Sequence, residues 1–176
     1  MANFTIAVLV RNQFGVLNRV TSMFRRRRFN ISCLTVSETE SPEFSRITVS
    51  SDGNDLEKQQ LINQLYKLQD VCSIKEIHSK NSVNCELMLI KIKNEPETRG
   101  DVRDAAAAFG AKTVDYSRDS VIFQMTGGSD KIDAFIDLMR DYTIMEICRT
   151  GIVSLERGSA TIRETELYKN QQKSLQ

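Results

Sequence analysis

An α+β fold of two tandem βαββαβ units is what the sequence predicts, and three observations predict it. Runs of period-two alternation give way repeatedly to apolar residues at helical spacing. The order strand, helix, strand, strand, helix, strand occurs once before residue 80 and recurs after it. The chain has 176 residues, 40% hydrophobic and 27% charged, with two prolines, which is enough ordered protein for one ordinary core or two small ones.

Phe4, Ile6, Val8 and Val10 alternate with Thr5, Ala7 and Leu9, the pattern of a strand with one strongly apolar face. Asn12-Gln13-Phe14-Gly15 breaks it, and from Val16 the apolar residues Leu17, Val20 and Phe24 fall at helical spacing. Residues 31–38 and 44–50, rich in Ile, Val and Thr, read as a hairpin closed by Thr39-Glu40-Ser41-Pro42-Glu43. Residues 51–55 read as a loop holding two N-cap candidates. Leu61, Ile62, Leu65 and Leu68 then give a second helix its buried stripe, and 71–77 closes the unit as a fourth strand. The order is that of a ferredoxin-like domain, with two helices on one face of a four-stranded sheet.

A polar connector, His78-Ser79-Lys80-Asn81-Ser82, leads to the second unit. Its expected elements are a strand at 87–92, a helix at 102–109 ended by Gly110, and strands at 112–116 and 121–126. A helix capped by Ser129, with Ile132, Phe135, Ile136 and Met139 on one side, precedes a strand at 144–155 bent near Gly151. The domain boundaries are therefore 1–79 and 80–158, with 159–176 a polar C-terminal tail.

Lys plus Arg number 24 against 23 Asp plus Glu, a net charge of +1, so no global field recruits nucleic acid or a membrane surface. Arg25 to Arg28 sit at a helix end, where successive side chains turn by about 100° and form no single basic stripe. No apolar run approaches a membrane span, and the N-terminal residues carry no basic-then-apolar leader, so a cytoplasmic protein is expected. Cys33, Cys72, Cys85 and Cys148 are widely spaced in apolar runs and read as buried free thiols rather than metal ligands. His78, the single histidine, reads as solvated surface. The pairs Asp101/Asp104 and Asp130/Asp133 read as solvated helix faces.

The turn from Asn12 to Leu17 carries the most chemistry. It joins a strand end to a helix start, where N–H groups lack partners and the dipole adds about half a positive charge, so it suits a carboxylate. The turn Asn12-x-x-Gly15-Val16-Leu17-x-Arg19-Val20 and the segment Phe29-Asn30-Ile31-x-x-Leu34-Thr35-Val36 resemble the ACT domain of acetohydroxyacid (acetolactate) synthase small regulatory subunits. So do Ser45-Arg46-x-Thr48 and Leu68-x-Asp70-Val71. Met88-Leu89-Ile90-Lys91-Ile92, Lys131-Ile132-Asp133-Ala134-Phe135 and Gly151-Ile152-Val153-x-Leu155-x-Arg157-Gly158 resemble that family's C-terminal domain. The resemblance covers residues 4–158.

The resemblance implies a non-catalytic subunit that activates a thiamine-diphosphate enzyme and transmits feedback inhibition by a branched-chain amino acid, most often valine. Thiamine diphosphate, magnesium and FAD would belong to the large catalytic partner, and this chain would hold no cofactor. It implies a homodimer through ACT domains, with effector between the helix-start turn of one copy (Asn12, Gly15, Val16, Leu17) and the second-strand entry of the other (Asn30, Ile31). Elementary chemistry agrees. Helix-start donors suit the carboxylate, Asn12 and Asn30 bring amides, and Val16 with Ile31 brings apolar lining worth about 1.5 to 3 kcal/mol for a valine-sized group. One departure stands out: the family usually carries glycine just before the aromatic-Asn-Ile step, where this chain has Arg28. Two other readings fit the same scaffold, an acylphosphatase-like hydrolase and a stand-alone amino-acid sensor.

Overall fold

The computed structural model describes residues 2–164. They form two compact units, one of the residues up to Val83 together with those from Ser154 onward, the other of Asn84–Val153. Residues 154–158, which the spacing assigns to the second half, thus lie with the first.

The first unit runs β1 (Ala2–Arg11), α1 (Val16–Arg26), β2 (Ile31–Glu38), β3 (Phe44–Gly53), α2 (Asp55–Leu65) and β4 (Val71–Ile77). Its sheet is antiparallel in the order β2-β3-β1-β4, so β1 is central and β2 is an edge. Alternation decides which side chains meet the helices. Ile6, Val8 and Val10 join Ile47 and Val49 under Val20, Phe24, Leu61 and Leu65, all buried in one cluster. β3 outruns its expected end at residue 50 because Ser51, Asp52 and Gly53 pair with Phe4, Asn3 and Ala2. Their polar composition reads as loop, yet a Cβ on Gly53 would stand 2.8 Å from the Phe29 ring, a close approach that glycine permits. Asn54 then caps α2 through a reciprocal box with Glu57, at 2.9 and 3.0 Å.

The other face of this sheet is covered as well. Strand β9 (Val153–Glu156) leads into a segment ending in a 3-10 turn, Ile162–Glu164, that lies along β1 and β4. Ala7 and Leu9 are fully buried. Arg46 donates to the Ser154 carbonyl at 2.7 Å, and the buried Ser73 hydroxyl donates to that of Ile162 at 2.6 Å. Of the expected polar tail, residues 159–164 belong to this covering, and 165–176 lie outside the described residues.

Helix α1 ends in a Schellman motif. The Phe29 N–H reaches the Phe24 carbonyl at 3.0 Å and the Arg28 N–H that of Arg25 at 3.1 Å, while the rings of Phe24 and Phe29 meet edge-on at 6.4 Å. The motif needs a left-handed residue, and Arg28 has φ 60°, the one non-glycine with positive φ among the described residues. The side chain costs about 1 to 2 kcal/mol there. Arg28→Gly is therefore expected to stabilise the protein by about 0.5 to 1 kcal/mol after the greater freedom of unfolded glycine is deducted. Chemical denaturation checks this, and a destabilised variant would contradict it.

The second unit repeats the plan with β5 (Ser82–Lys93), α3 (Arg99–Ala108), β6 (Lys112–Tyr116), β7 (Ser120–Gly127), α4 (Ser129–Met139) and β8 (Ile144–Arg149), in the sheet order β6-β7-β5-β8. β9 pairs with β5 beside that path, so the single strand expected at 144–155 is two, parted by Thr150-Gly151-Ile152. Met88, Ile90, Ile92, Phe123, Phe135 and Met139 centre its core. Ser129, expected as the cap of α4, is its first helical residue; Gly128 holds the cap position and makes no side-chain bond. The four cysteines are thiols outside any disulfide, but only Cys72 is buried; Cys33 is half-buried, and Cys85 and Cys148 are exposed. Burial raises the pKa of the Cys72 thiol. Cys148 stands on β8, an edge strand of its sheet among the described residues.

Candidate functional site

The turn between β1 and α1 is pinned from three sides. The Arg11 N–H donates to the Asp70 carbonyl at 2.9 Å and the Asn12 N–H to that of Glu43 at 2.7 Å. The Asn12 amide donates to the Glu38 carboxylate and the Pro42 carbonyl, each at 3.0 Å. Arg19, one turn into the helix, pairs with Asp70 at 2.8 Å. Asn12 therefore spends its side-chain donors on the end of β2 and the hairpin turn and keeps Oδ1 as acceptor.

Gly15 has φ 80° and occupies the cap position of α1 without any side-chain cap. The Val16 N–H reaches the Gln13 carbonyl at 3.3 Å, and the Arg19 N–H reaches that of Gly15 at 3.1 Å. The intervening N–H groups of Leu17 and Asn18 have no carbonyl behind them in the helix. α1 also has no acidic residue in its first turn, whereas α2, α3 and α4 each carry one or more. Its positive end thus has no carboxylate in its own first turn to offset it, a condition that favours holding an anion. Beside it opens a cleft of about 450 Å³ lined by Arg11, Asn12, Gln13, Glu43 and Phe44.

The six candidate residues do not meet within one chain. Asn12, Gly15 and Leu17 are exposed at the start of α1, while Asn30 and Ile31 follow its end, about 16 Å away along an 11-residue helix. The Val16 side chain is buried in the core, which leaves its backbone N–H as what it can offer at the helix start. Asn30 is exposed, and its carbonyl accepts from the Ser51 hydroxyl at 2.6 Å. Ile31 is half-buried at the head of edge strand β2. Sequence reasoning passed over Phe14, whose side chain is fully exposed in the turn before α1, and over Glu43 and Phe44 in the cleft wall. An aromatic residue inside a polar turn was the available signal for the first.

The second unit has the same frame with different chemistry. The Asn94 N–H donates to the Asp119 carbonyl at 3.0 Å, its amide to that of Ser117 at 2.7 Å, and the Lys93 N–H to that of Thr143 at 3.0 Å. Asn94 thus repeats the clamp of Asn12. Here, however, Glu95, Glu97 and Asp119 line the cleft alongside Lys93, Arg99 and Arg118, and Pro96 stands in the turn. The first turn of α3 carries Asp101, and Thr98 holds the cap position that Gly15 holds in α1.

A separate ionic cluster lies in this unit. Buried Glu86 accepts from Arg149 at 2.6 and 2.9 Å and from the Ser129 hydroxyl at 3.0 Å, and Arg149 also reaches Asp133 at 2.8 Å. These hydrogen bonds, that of Arg149 foremost, hold the Glu86 carboxyl below its ordinary pKa against the opposing effect of burial. The same pairing holds Arg149 above its ordinary value. A carboxylate so fully bonded is a structural ion and not a proton carrier. Among the described residues no group of three or more His, Cys, Asp or Glu is placed to hold a metal ion, and no helix is long and apolar enough to cross a membrane.

Residues 6–73 match a family model described as the AHAS small subunit-like ACT domain, and residues 85–158 one described as the small subunit of acetolactate synthase. A probable acetolactate synthase small subunit of Archaeoglobus fulgidus is 49% identical over 155 residues, covering 88% of this chain and 97% of that one. The acetolactate synthase small subunit of Bacillus subtilis is 44% identical over 157 residues, covering 88% and 90%. The crystal structure of the small subunit from Thermotoga maritima superposes with a TM-score of 0.83 at 35% identity, over 91% of this chain and all of that one. On these matches, which span both βαββαβ units, the chain belongs to the acetolactate synthase small subunit family.

Proposed function

We propose that this chain is the regulatory, non-catalytic partner of a large acetolactate synthase subunit, which it activates and through which it confers feedback inhibition by a branched-chain amino acid, valine foremost. Thiamine diphosphate, magnesium and FAD belong to that partner, and the pair works in the cytoplasm. The effector carboxylate lies on the N–H groups at the start of α1, near Gly15, Val16 and Leu17. Asn12 Oδ1 and Asn30 take its ammonium, and Leu17 with Ile31 lines its side chain.

The observation that carries this reading is the division of the candidate residues between opposite ends of α1. Neither end alone offers both the anion-binding turn and the strand entry. Two copies joined along edge strand β2, with their α1 helices antiparallel, put one end of each beside the other end of its neighbour. Effector bound across that junction favours one pairing of the chains over others, and the catalytic partner reads the pairing. The pocket prefers valine to alanine, but one methylene is worth only about 1 to 3 kcal/mol, so leucine and isoleucine compete.

Reconstitution tests this. The catalytic subunit assayed with and without this chain is expected to be faster with it, and valine is expected to slow only the mixture. A rate indifferent to this chain would contradict the proposal.

A further inference from the structure

The hairpin turn at residues 39–44, which supplies Glu43 and Phe44 to the cleft wall, is held by two sets of contacts. Asn12 makes the first, its N–H at 2.7 Å from the Glu43 carbonyl and its amide at 3.0 Å from that of Pro42. Arg163 makes the second. Its guanidinium is 2.8 Å from Glu40 Oε1 and stands 5.8 Å from the centre of the Phe44 ring. The turn between them is tightly closed, with the Thr39 N–H on the Phe44 carbonyl and the Phe44 N–H on that of Ser41, both at 3.0 Å. A shift at Glu40 or Phe44 therefore reaches Pro42 and Glu43, and through them Asn12.

Arg163 is itself fixed. Just before it, the Ile162 carbonyl takes the buried Ser73 hydroxyl at 2.6 Å and the Thr161 carbonyl takes Lys75 Nζ at 3.5 Å. Lys75 also pairs with Glu156 further back on the same segment. The stretch from Ser154 to Arg163 thus grips β4 and the hairpin turn together.

We infer that Arg163 is a positioning residue of the effector cleft: it sets the hairpin turn that sets Asn12, so that cleft occupancy and the docking of residues 154–163 favour each other. The inference rests on reading the Asn12–Leu17 turn as the effector site. Coupling of this kind is reciprocal. Effector in the cleft steadies the segment, and loss of the segment's grip loosens the cleft.

The test uses the full chain and its Arg163→Ala and Arg163→Lys variants. Without any ligand, the Asn12 backbone amide is expected to exchange with solvent faster in Arg163→Ala by about threefold to tenfold, the range of a partly exposed ion pair plus a cation–π contact. Amides of α2 and of the second unit keep their wild-type rates, which separates positioning from general destabilisation, and Arg163→Lys recovers part of the protection. By calorimetry, valine binds Arg163→Ala more weakly by a similar factor. Unchanged exchange at Asn12 overturns the inference, as does valine affinity left unchanged in Arg163→Ala. Should wild-type chain bind no branched-chain amino acid, the effector reading fails on its own, and the exchange rates still decide whether Arg163 positions Asn12.

Discussion

Gly15→Asp is expected to abolish valine binding while the protein stays folded. A Cβ at Gly15 meets only the Arg19 guanidinium, at 3.6 Å, so space is not the obstacle. The φ of 80° costs the new side chain about 1 to 2 kcal/mol, partly offset because Asp is a good N-cap. The larger effect falls on the ligand. The new carboxylate takes the Leu17 and Asn18 N–H groups and faces the effector's own carboxylate. Losing two hydrogen bonds to a charged group, at about 1.5 to 3 kcal/mol each, weakens binding by at least about a hundredfold. Calorimetry on the purified variant checks this, with circular dichroism to confirm the fold. Binding within a few-fold of wild type would remove this turn from the site.

Arg149→Ala is expected to cost the largest amount of stability, about 3 kcal/mol, because it strands Glu86 as a buried charge. In a chain of 176 residues that lowers the unfolding midpoint by about 6 to 12 °C. The pH dependence fixes the cause. In wild type the folded pKa of Glu86 lies below its unfolded value, so its contribution is fully present above about pH 4.3 and is lost as pH falls through the folded value. Without Arg149, burial raises that pKa above the unfolded value, and the variant regains stability as Glu86 binds a proton. The gap between the two proteins is therefore widest at neutral pH and narrows as the pH falls toward and then below the unfolded value. A gap independent of pH would mean that lost packing, not the stranded carboxylate, sets the cost.

How much of this was legible in the sequence depends on which atoms carry the information. β2 and β4 have the expected bounds, 31–38 and 71–77, because β-branched runs end in abrupt polar or turn residues. The end of β3 was hidden, since Ser51, Asp52 and Gly53 look like loop until Phe4, Asn3 and Ala2 are seen to pair with them. Arg28 was legible through a resemblance: its neighbours suggested a glycine position, and the left-handed φ of 60° closes a Schellman motif there.

Other features gave no local signal. The covering of the first sheet by Ser154 to Arg163 uses the carbonyls of Ser154, Thr161 and Ile162, and every residue type has a carbonyl. The Glu86–Arg149 pair joins residues far apart in the chain, and each alone reads as an ordinary charged strand residue. The Asn12 clamp was half legible. Its place in the turn was plain, but its amide is given to a hairpin turn 30 residues on.

The central claim is that effector lies between the α1 start of one copy and the β2 entry of another, and a mixing experiment tests it most directly. Gly15→Asp and Asn30→Ala chains are each prepared alone, shown not to bind valine, then mixed and allowed to exchange partners. In a mixed pair one junction joins both altered surfaces and the other joins the intact turn of one chain to the intact Asn30 of the other. Calorimetry is expected to show valine binding restored, with near wild-type affinity and one site per mixed pair. A mixture that binds no better than its two components would contradict the shared site.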